Sequence, residues 1–339
     1  MKPLRLPPNQ LHRFYRGGAR IAGLRGMPHH DAHAPEDWVG SVTTTFGSVE
    51  EGLSRLEDGR LLAHAIAAEP ANFLGPAHAE RRGADPALLV KLLDAGERLP
   101  VHFHPDRAFA RERLGSPYGK SEAWIVVAAE GDEPAVYLGL RDPLEASRLA
   151  GWVERQATSE LLEALHRVPV AAGDTFFVPA GLLHAIGEGL LIVELQEPSD
   201  LSVLLEWEGF ELDGPAEGHL GLGFDSALSA ADLDRLSPER LDVLRGSRQS
   251  GGDGVERLFP READGFFRAQ RVHPAPSATF AAEFSVVVVL EGDGRLSTQD
   301  GDMALARGDT VLVPWAAGAV SIEGELEALR CLPPEAGAL

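Results

Sequence analysis

Two histidines separated by one residue, His102 and His104, are the side chains of this sequence best suited to bind a metal ion. They lie in the segment LPVHFHP, whose apolar pattern predicts a β-strand. Side chains at positions i and i+2 of a strand point to the same face, so both imidazoles would converge on one point. Neutral imidazole binds Zn²⁺, Mn²⁺, Fe²⁺, Co²⁺ or Ni²⁺. The pair alone is modest evidence for a metal site, and the surrounding sequence strengthens that evidence.

Two longer sequence patterns support this interpretation, one that contains the pair and one further along the chain. The first, G-x5-H-x-H, runs from Gly96 to His104, and the second, G-x5-P-x-G-x2-H, runs through GDTFFVPAGLLH to His184. Together they resemble the two motifs of the cupin superfamily. The resemblance implies a mainly β fold of small antiparallel jelly-roll barrels, with a metal bound in the mouth of the barrel.

The acidic residue that follows the histidine pair narrows the resemblance. In a generic cupin a glutamate follows H-x-H after three or four residues, whereas here residues 105–121 intervene before Glu122. The sequence H-P-D, followed by G-K-S-E and an aromatic residue, is similar to that of type I mannose-6-phosphate isomerases in their short bacterial form. The resemblance covers most of residues 35–205 and, more loosely, the C-terminal part.

This resemblance implies that one divalent metal is bound by His102, His104, Glu122 and His184. Zn²⁺ is the first choice, and Mn²⁺, Fe²⁺, Co²⁺ and Ni²⁺ stay open. The family usually has glutamine where His102 stands, so this site would be richer in nitrogen ligands. A nitrogen-rich site makes a metal other than zinc more conceivable.

The resemblance also implies an aldose–ketose isomerase, which moves a proton between C1 and C2 of a sugar through an enediol. Such a reaction needs a base and a group that stabilises the developing oxyanion. We expect Glu194, on a strand beside the metal, to be the base or a substrate contact. Lys120 shares the metal-facing side with Glu122 and is the second catalytic candidate. Arg107 and Ser121 are candidate contacts for a substrate phosphate.

One position departs from the family. The family has an arginine ten residues after the position of Glu194, where this sequence has Leu204. Three functions therefore stay open: a metal-dependent isomerase of a hexose 6-phosphate or related sugar, a non-catalytic sugar-binding or regulatory cupin, and a cupin of other chemistry such as an Fe²⁺ dioxygenase. The long segment before Glu122 favours the isomerase over the dioxygenase.

The elements that position these residues are predicted to be short strands with a few helices. Helical spacing is found near Leu61, in residues 143–166 with Ser159 as the N-terminal cap, and in residues 230–244. His166, at the presumed end of the second helix, is predicted to interact with the helix dipole.

An internal repeat suggests two related barrels. The frame G-D-T-x-x-V-P occurs in residues 173–179 and again in residues 308–314. We predict a metal-binding domain with helical insertions over 1–210, a connecting segment over 211–256, and a C-terminal barrel without metal over 257–339.

The remaining features limit the partners and the location. The formal charge is -21, with 52 acidic and 31 basic side chains, which disfavours nucleic-acid binding. Cys331 is the only cysteine. With no apolar run long enough to cross a membrane and no signal-like start, the expected location is the cytoplasm. A small sugar or sugar phosphate is the expected partner, and the oligomeric state is not predicted. His29, His30 and His33 form a loose cluster that we interpret as a solvated loop rather than a second metal site.

Overall fold

The computed structural model describes residues 1–246, 249–250 and 254–335. The fold is mainly β, as the sequence predicts, with 33% of the residues in strands and 23% in helices. The strands are β1 Leu4–Arg5, β2 Gln10–Leu11, β3 Glu36–Val39, β4 Leu89–Ala95, β5 His102–Phe103, β6 Glu122–Ala129, β7 Ala135–Leu140, β8 Leu165–Pro169, β9 Thr175–Val178, β10 His184–Ile186, β11 Leu190–Gln196, β12 Val203–Leu204, β13 Gln249–Ser250, β14 Val255–Arg257, β15 Arg268–Val272, β16 Ser277–Phe280, β17 Ser285–Thr298, β18 Gly301–Ala306, β19 Thr310–Val313 and β20 Val320–Leu332.

The helices are short and lie between the strands. They are α1 Ala19–Arg25, α2 Leu62–Ala68, α3 Pro70–Leu74, α4 Pro76–Arg82, α5 Arg107–Phe109, α6 Ala146–Glu154, α7 Thr158–Ala164, α8 Gly214–Glu217, α9 Phe224–Ala227 and α10 Pro238–Leu244, with a π-helical turn at Ala110–Leu114 and 3₁₀ turns at Leu228–Ala230, Arg261–Gly265 and Trp315–Ala317. Within the described residues no helix is long and apolar enough to cross a membrane.

The strands form three antiparallel sheets. One sheet has the order β2-β3-β4-β11-β6-β9, and a second has the order β12-β5-β10-β7-β8. The third sheet has the order β1-β19-β17-β20-β15-β14-β13, with β16 paired to β20 and β18 paired to β17. The first two sheets come from the first two thirds of the chain and the third sheet mainly from the last third. The candidate site lies where side chains of the first two sheets meet.

The two copies of the G-D-T frame form the same local structure. Gly173 and Gly308 both have positive φ, at 94° and 87°, a conformation that favours glycine. In each copy the next residue, Asp174 or Asp309, accepts a hydrogen bond from the backbone N–H three residues earlier, at 2.9 and 2.8 Å. A four-residue strand follows in both copies, β9 and β19. The sequence repeat therefore corresponds to a repeated turn and strand.

One apolar core contains side chains from both the first and the third sheet. It includes Trp124, Phe176 and Ile192 from the first sheet together with Val286 and Leu329 from the third. A second core packs the helices of the insertion against the second sheet, and a third lies inside the C-terminal sheet. Burial of these side chains supplies the main driving force for holding the sheets together.

The predicted helix over 143–166 is two helices followed by a strand. Helix α6 ends before Gln156, which has a φ of 52°. The cap predicted at Ser159 is wrong, because α7 begins at Thr158 and Ser159 lies inside it. The role predicted for His166 is also wrong. His166 lies on β8, and its Nε2 is 2.8 Å from the carbonyl oxygen of Leu236. Apolar residues recur through both the helix and the strand that follows it, so the sequence pattern did not show where the helix ends.

The helix predicted over 230–244 is shorter than expected and begins at Pro238. Ser237 is its cap, since its side chain accepts a hydrogen bond from the backbone N–H of Arg240 at 3.2 Å. A proline in the first turn after a serine cap is a favourable helix start.

The segment over 211–256 contributes buried side chains, including Leu220, Ala227 and Leu244. In addition, β1 at the start of the chain pairs with β19 near its end, with Leu4 opposite Leu312. The division of the chain into three parts stays a prediction. The structure adds that these parts contact one another.

Phe267 tests whether the two β-rich parts share one core. Its ring is fully buried and packs against Phe177 of β9, with ring centroids 6.1 Å apart. We expect Phe267→Ala to lower the free energy of unfolding by about 3–5 kcal/mol, because it leaves a cavity between the sheets. Phe46→Ala is the matched control, since Phe46 is 52% exposed, and should cost less than about 1 kcal/mol. Urea unfolding measures both values, and a small loss for Phe267→Ala would contradict a shared core.

Candidate metal centre

The three histidines of the two sequence patterns lie side by side. His102 on β5 is directly opposite His184 on β10 in the antiparallel pairing, and His104 follows β5 by one residue. The ring centroids are 4.2 to 5.0 Å apart. One ligand atom from each ring can be chosen so that all three atoms lie within 4.8 Å of one another. All three side chains are buried.

Each imidazole is oriented by a backbone carbonyl. The Nδ1 atoms lie 2.7–2.8 Å from the carbonyl oxygens of Pro100, Leu201 and Leu182. A carbonyl oxygen can only accept, so Nδ1 carries the proton and Nε2 keeps its lone pair. The Nε2 of His184 is buried and has no hydrogen-bond partner within the described part of the chain. A free, buried nitrogen lone pair beside two other imidazoles fits a metal ion.

Burial also keeps these imidazoles neutral. It lowers the pKa of His102 well below its ordinary value, that of His104 to about 4 and that of His184 to about 3. The neighbouring imidazoles and the Lys120 ammonium act in the same direction, while the Glu122 carboxylate opposes them. At neutral pH the rings are therefore in the neutral form that can bind a metal.

Glu122 approaches the histidines from the first sheet. Its Oε1 lies 2.9 Å from Nε2 of His104, and its Oε2 lies 3.7 Å from Nε2 of His184. Trp124 Nε1 donates a hydrogen bond to Oε2 at 3.2 Å and fixes the carboxylate. Burial would raise the pKa of Glu122, but His104 and Lys120 together hold it well below its ordinary value. The structure thus brings all four proposed ligands together. One ionised carboxylate and three neutral imidazoles are a ligand set suited to a divalent cation.

The two catalytic candidates lie beside this group. Lys120 Nζ is 2.6 Å from Glu122 Oε1 and 3.2 Å from His104 Nε2. Glu194 lies on β11, opposite Lys91 of β4, and its Oε2 is 3.7 Å from Lys91 Nζ. Burial and the negative charge of Glu122 raise the pKa of Glu194 well above its ordinary value. A buried carboxyl group with a raised pKa can exchange a proton near neutral pH.

The two candidate phosphate contacts lie elsewhere. Arg107 binds the buried carboxylate of Glu197 at 2.5 Å, and its guanidinium stacks on the ring of Phe266 at 4.5 Å. Ser121 is buried, and its side chain is 3.4 Å from the backbone nitrogen of Ala180. Neither residue lines the cavity described below. Their role in phosphate binding stays a prediction, and these contacts favour a structural role.

Lys91 is a site residue that the sequence analysis missed. Its Nζ lies 3.3 Å from Glu36 and 4.7 Å above the ring of Trp38. Trp38 in turn donates a hydrogen bond to Glu36 at 2.7 Å. The signal was present, because Lys91 interrupts the apolar strand LLVKLL, and a charge buried in such a strand requires a partner.

Arg13 is a second site residue that the sequence did not indicate, and it contacts the same carboxylate, Glu36, as Lys91 does. Its guanidinium lies 3.3 Å from both Glu36 and Asp200. Tyr15 donates a hydrogen bond to Glu36 at 2.6 Å. Burial raises the pKa of Glu36, but Arg13 and Lys91 lower it far below its ordinary value. The sequence could not reveal these pairs, since Arg13 and Asp200 are far apart along the chain.

These groups open onto a cavity of about 630 Å³. This volume is in the usual range for a site that binds a small molecule. Its lining includes Arg13, Phe14, Tyr15, Glu36, Phe46, Lys91, His102, Lys120, Glu122, Glu194, Asp200, Leu204, Glu211, Leu212, Glu217 and Leu220. The cavity therefore joins the candidate metal centre to a space large enough for a hexose.

The loop histidines form a different environment. His29 and His30 are exposed, and His33 Nδ1 lies 3.1 Å from the carbonyl oxygen of Arg13. In the part of the chain that the structure describes, His102, His104 and His184 are the one group of three or more His, Cys, Asp or Glu side chains close enough together to hold a metal ion.

Comparison with known proteins gives consistent results. The family model described as "Mannose-6-phosphate isomerase, cupin domain" matches residues 256–333. The chain is 29% identical over 248 residues to mannose-6-phosphate isomerase ManA of Bacillus subtilis (strain 168), covering 71% of this chain and 73% of that protein. It is 27% identical over 327 residues to mannose-6-phosphate isomerase of Streptococcus mutans, covering 94% and 95%.

Solved structures agree on the fold. The crystal structure of mannose 6-phosphate isomerase from Bacillus subtilis matches with a TM-score of 0.79 and 22% identity, covering 98% of this chain and 99% of that one. The apo form of the enzyme from Salmonella typhimurium matches with a TM-score of 0.74 and 14% identity, covering 98% and 100%. The predicted fold class, cupin-type barrels with a few inserted helices, is confirmed.

Removing one proposed ligand should remove the metal. We expect His184→Ala and Glu122→Gln to reduce bound metal from about one equivalent to less than about 0.1 after dialysis, because three or four ligands must act together. His64→Ala, an exposed histidine outside the site, is the control and should keep the metal. Elemental analysis of the purified proteins gives the metal content. Unchanged content in both site variants would refute the ligand assignment.

Proposed function

Since the chain belongs to the type I mannose-6-phosphate isomerase family of the cupin superfamily, we propose that it is a metal-dependent aldose–ketose isomerase. The substrate class is a hexose 6-phosphate, such as mannose 6-phosphate, or a related sugar. The single observation that carries the proposal is the group of His102, His104, His184 and Glu122, of which His102 and Glu122 line a cavity of about 630 Å³. The isomerase is favoured over the non-catalytic and dioxygenase alternatives.

The proposed cofactor is one divalent metal held by these four residues, with Zn²⁺ as the first choice. Imidazole nitrogen and carboxylate oxygen are ligands that zinc accepts, and the third histidine also suits Mn²⁺, Fe²⁺, Co²⁺ or Ni²⁺. When bound, a divalent cation supplies positive charge that polarises the sugar carbonyl. The cytoplasm is the proposed location.

Glu194 is the proposed base. In its ionised form the carboxylate takes the proton from C2 of the aldose, which leaves an enediolate with its negative charge on O1. The proton of the O2 hydroxyl passes to O1, and the carboxylic acid of Glu194 then returns its proton to C1, which gives the ketose. The raised pKa of Glu194 supports this role, because a higher pKa makes its carboxylate a stronger base. Lys91, 3.7 Å away, stabilises the ionised form and holds the side chain on the cavity wall.

Lys120 is proposed to stabilise negative charge on the substrate oxygens during the reaction. Its ammonium group lines the cavity and contacts Glu122 and His104. The attraction between the Lys120 ammonium and the substrate oxygen becomes stronger as negative charge develops on that oxygen. An interaction that is stronger in the transition state than in the bound substrate lowers the barrier.

Solvent exchange tests the isomerisation directly. The metal-loaded protein is incubated in D₂O with mannose 6-phosphate, fructose 6-phosphate, mannose or fructose. We expect deuterium at C1 or C2 of at least one sugar together with the isomeric product, because the proton passes through an exchangeable group. Proton NMR measures both. No exchange and no product with any of these sugars, under each candidate metal, would refute the proposal.

The variant Glu194→Gln separates the base from the metal site. We expect it to retain the metal and to lose activity by about 10²- to 10⁴-fold, the usual contribution of general base catalysis. Glu208→Gln, an exposed glutamate outside the cavity, is the matched control. Full activity of Glu194→Gln would exclude Glu194 as the base.

A further inference from the structure

We infer that the third sheet carries a binding site for a small carboxylate anion, at strand positions that correspond to those of Glu122 and Glu194 in the first sheet. We call it the C-terminal site, and it consists of four polar side chains: Arg268, Gln270, Ser285 and Arg330. The site lies in a different sheet from the candidate metal centre and does not depend on the proposed isomerase function.

The repeated G-D-T frame relates Ser285 to Glu122. Val178 and Val313 hold the same place in the two copies of the frame, five residues after the first glycine. Glu122 of β6 is opposite Val178 in the antiparallel pairing, and Ser285 of β17 is opposite Val313. Ser285 therefore occupies in the third sheet the position that Glu122 occupies in the first.

The same pairing relates Arg330 to Glu194. The residue two positions further along β6 is opposite Glu194 of β11, and the residue two positions further along β17 is opposite Arg330 of β20. On their other side Glu194 is opposite Lys91, and Arg330 is opposite Gln270. An acid beside a lysine in the first sheet is thus replaced by an arginine beside a glutamine. The reversed charge favours an anion where the first sheet favours a cation.

These side chains point to one face of the third sheet. Residues that are directly opposite, or two positions apart on a strand, share a face. Val287 is opposite Arg330 and belongs to the apolar core inside the C-terminal sheet, so Arg330 and Ser285 face that core as well. The Arg330 guanidinium lies 4.5 Å from the ring centroid of Phe280, which belongs to the same core. The C-terminal site is therefore built into the interior of the fold.

Two hydrogen-bonding groups of the site are buried without a partner. Within the described part of the chain, Nε of Arg330 and Oγ of Ser285 make no hydrogen bond, and these residues are 4% and 1% exposed. A buried donor without an acceptor is unfavourable by the full cost of its lost hydration. Both groups can donate, and the two oxygens of a carboxylate can accept from two donors at once. A bound carboxylate would satisfy both.

Positive charge exceeds negative charge around these donors. Arg330 and Arg268 donate to the two oxygens of one carboxylate, Glu283, at 3.1 and 2.7 Å. Their remaining partners are neutral acceptors, the side chain of Gln270 and the carbonyl oxygen of Pro333. Burial lowers the pKa of Arg330, and Arg268 acts in the same direction, while Glu283 opposes them. Two guanidinium groups and one carboxylate leave one positive charge for a monoanion.

Glu283 lies on the solvent side of the site. Its side chain is 36% exposed, compared with 20% for Arg268 and 5% for Arg330. A ligand therefore reaches the site past Glu283, and it must be small because Ser285 is buried. Guanidinium groups match the planar geometry of carboxylates. A phosphate dianion would bring one more negative charge than the site balances, so a carboxylate is the favoured ligand.

Thermal unfolding of the full-length protein tests the site, with acetate as the probe and chloride as the reference at equal pH and ionic strength. We expect about 100 mM acetate to raise the unfolding midpoint by about 2–4 °C more in the unmodified protein than in Ser285→Ala, because a ligand of the folded state stabilises it. General effects of the salt are the same in both proteins and cancel. Phosphate should give a smaller difference than acetate, and a larger one would overturn the carboxylate class.

The variants separate binding from stability. Ser285→Ala should keep its midpoint in chloride, because it removes a hydroxyl group that has no partner. Arg330→Lys keeps the charge and removes the Nε donor, and it should also lose the acetate shift. Arg295→Gln, an exposed arginine of β17, is the control and should retain the shift. Equal acetate shifts in Ser285→Ala, Arg330→Lys and the unmodified protein would overturn the inference.

A second control excludes the metal centre, because a carboxylate is also a metal ligand. The acetate shift should persist in His184→Ala, whose substitution lies in the second sheet. Loss of the shift in this variant would place the acetate at the metal and overturn the C-terminal site.

Discussion

The antiparallel pairing of β5 with β10 is the constraint on which the site depends. It sets His102 directly opposite His184, with ring centroids 4.2 Å apart. Glu122 reaches these rings only because β6 lies in the facing sheet, where its carboxylate is 2.9 Å from His104. Two sheets must therefore pack in one register for the four side chains to meet. A shift of one residue in either strand would turn these side chains away from one another.

Around this group the interior is organised as alternating charges. Lys120 contacts Glu122, Lys91 lies between Glu194 and Glu36, and Arg13 contacts Glu36 and Asp200. Buried charges persist in proteins only when they are paired, so each of these residues depends on its neighbours. Burial and the nearby carboxylate of Glu122 together raise the pKa of Glu194.

The sequence patterns identified the residues that the structure brings together at the candidate metal centre, but not the charged residues around them. Spacing within short strands is a local property, so His102, His104 and His184 could be found from two patterns. Arg13 and Asp200 are joined by folding alone, and no local pattern marks their contact. Helix limits failed for a related reason. His166 follows a helix in sequence, but its partner is the carbonyl group of Leu236, which a distant segment provides.

We propose that His102, His104, His184 and Glu122 hold one metal ion. A crystal structure of the metal-loaded protein, measured at the absorption edge of the metal found by elemental analysis, would show whether they do. We expect a single anomalous peak about 2.0–2.2 Å from three imidazole nitrogens and one carboxylate oxygen of this group. A peak at His29, His30 and His33 with none between β5, β6 and β10 would contradict it.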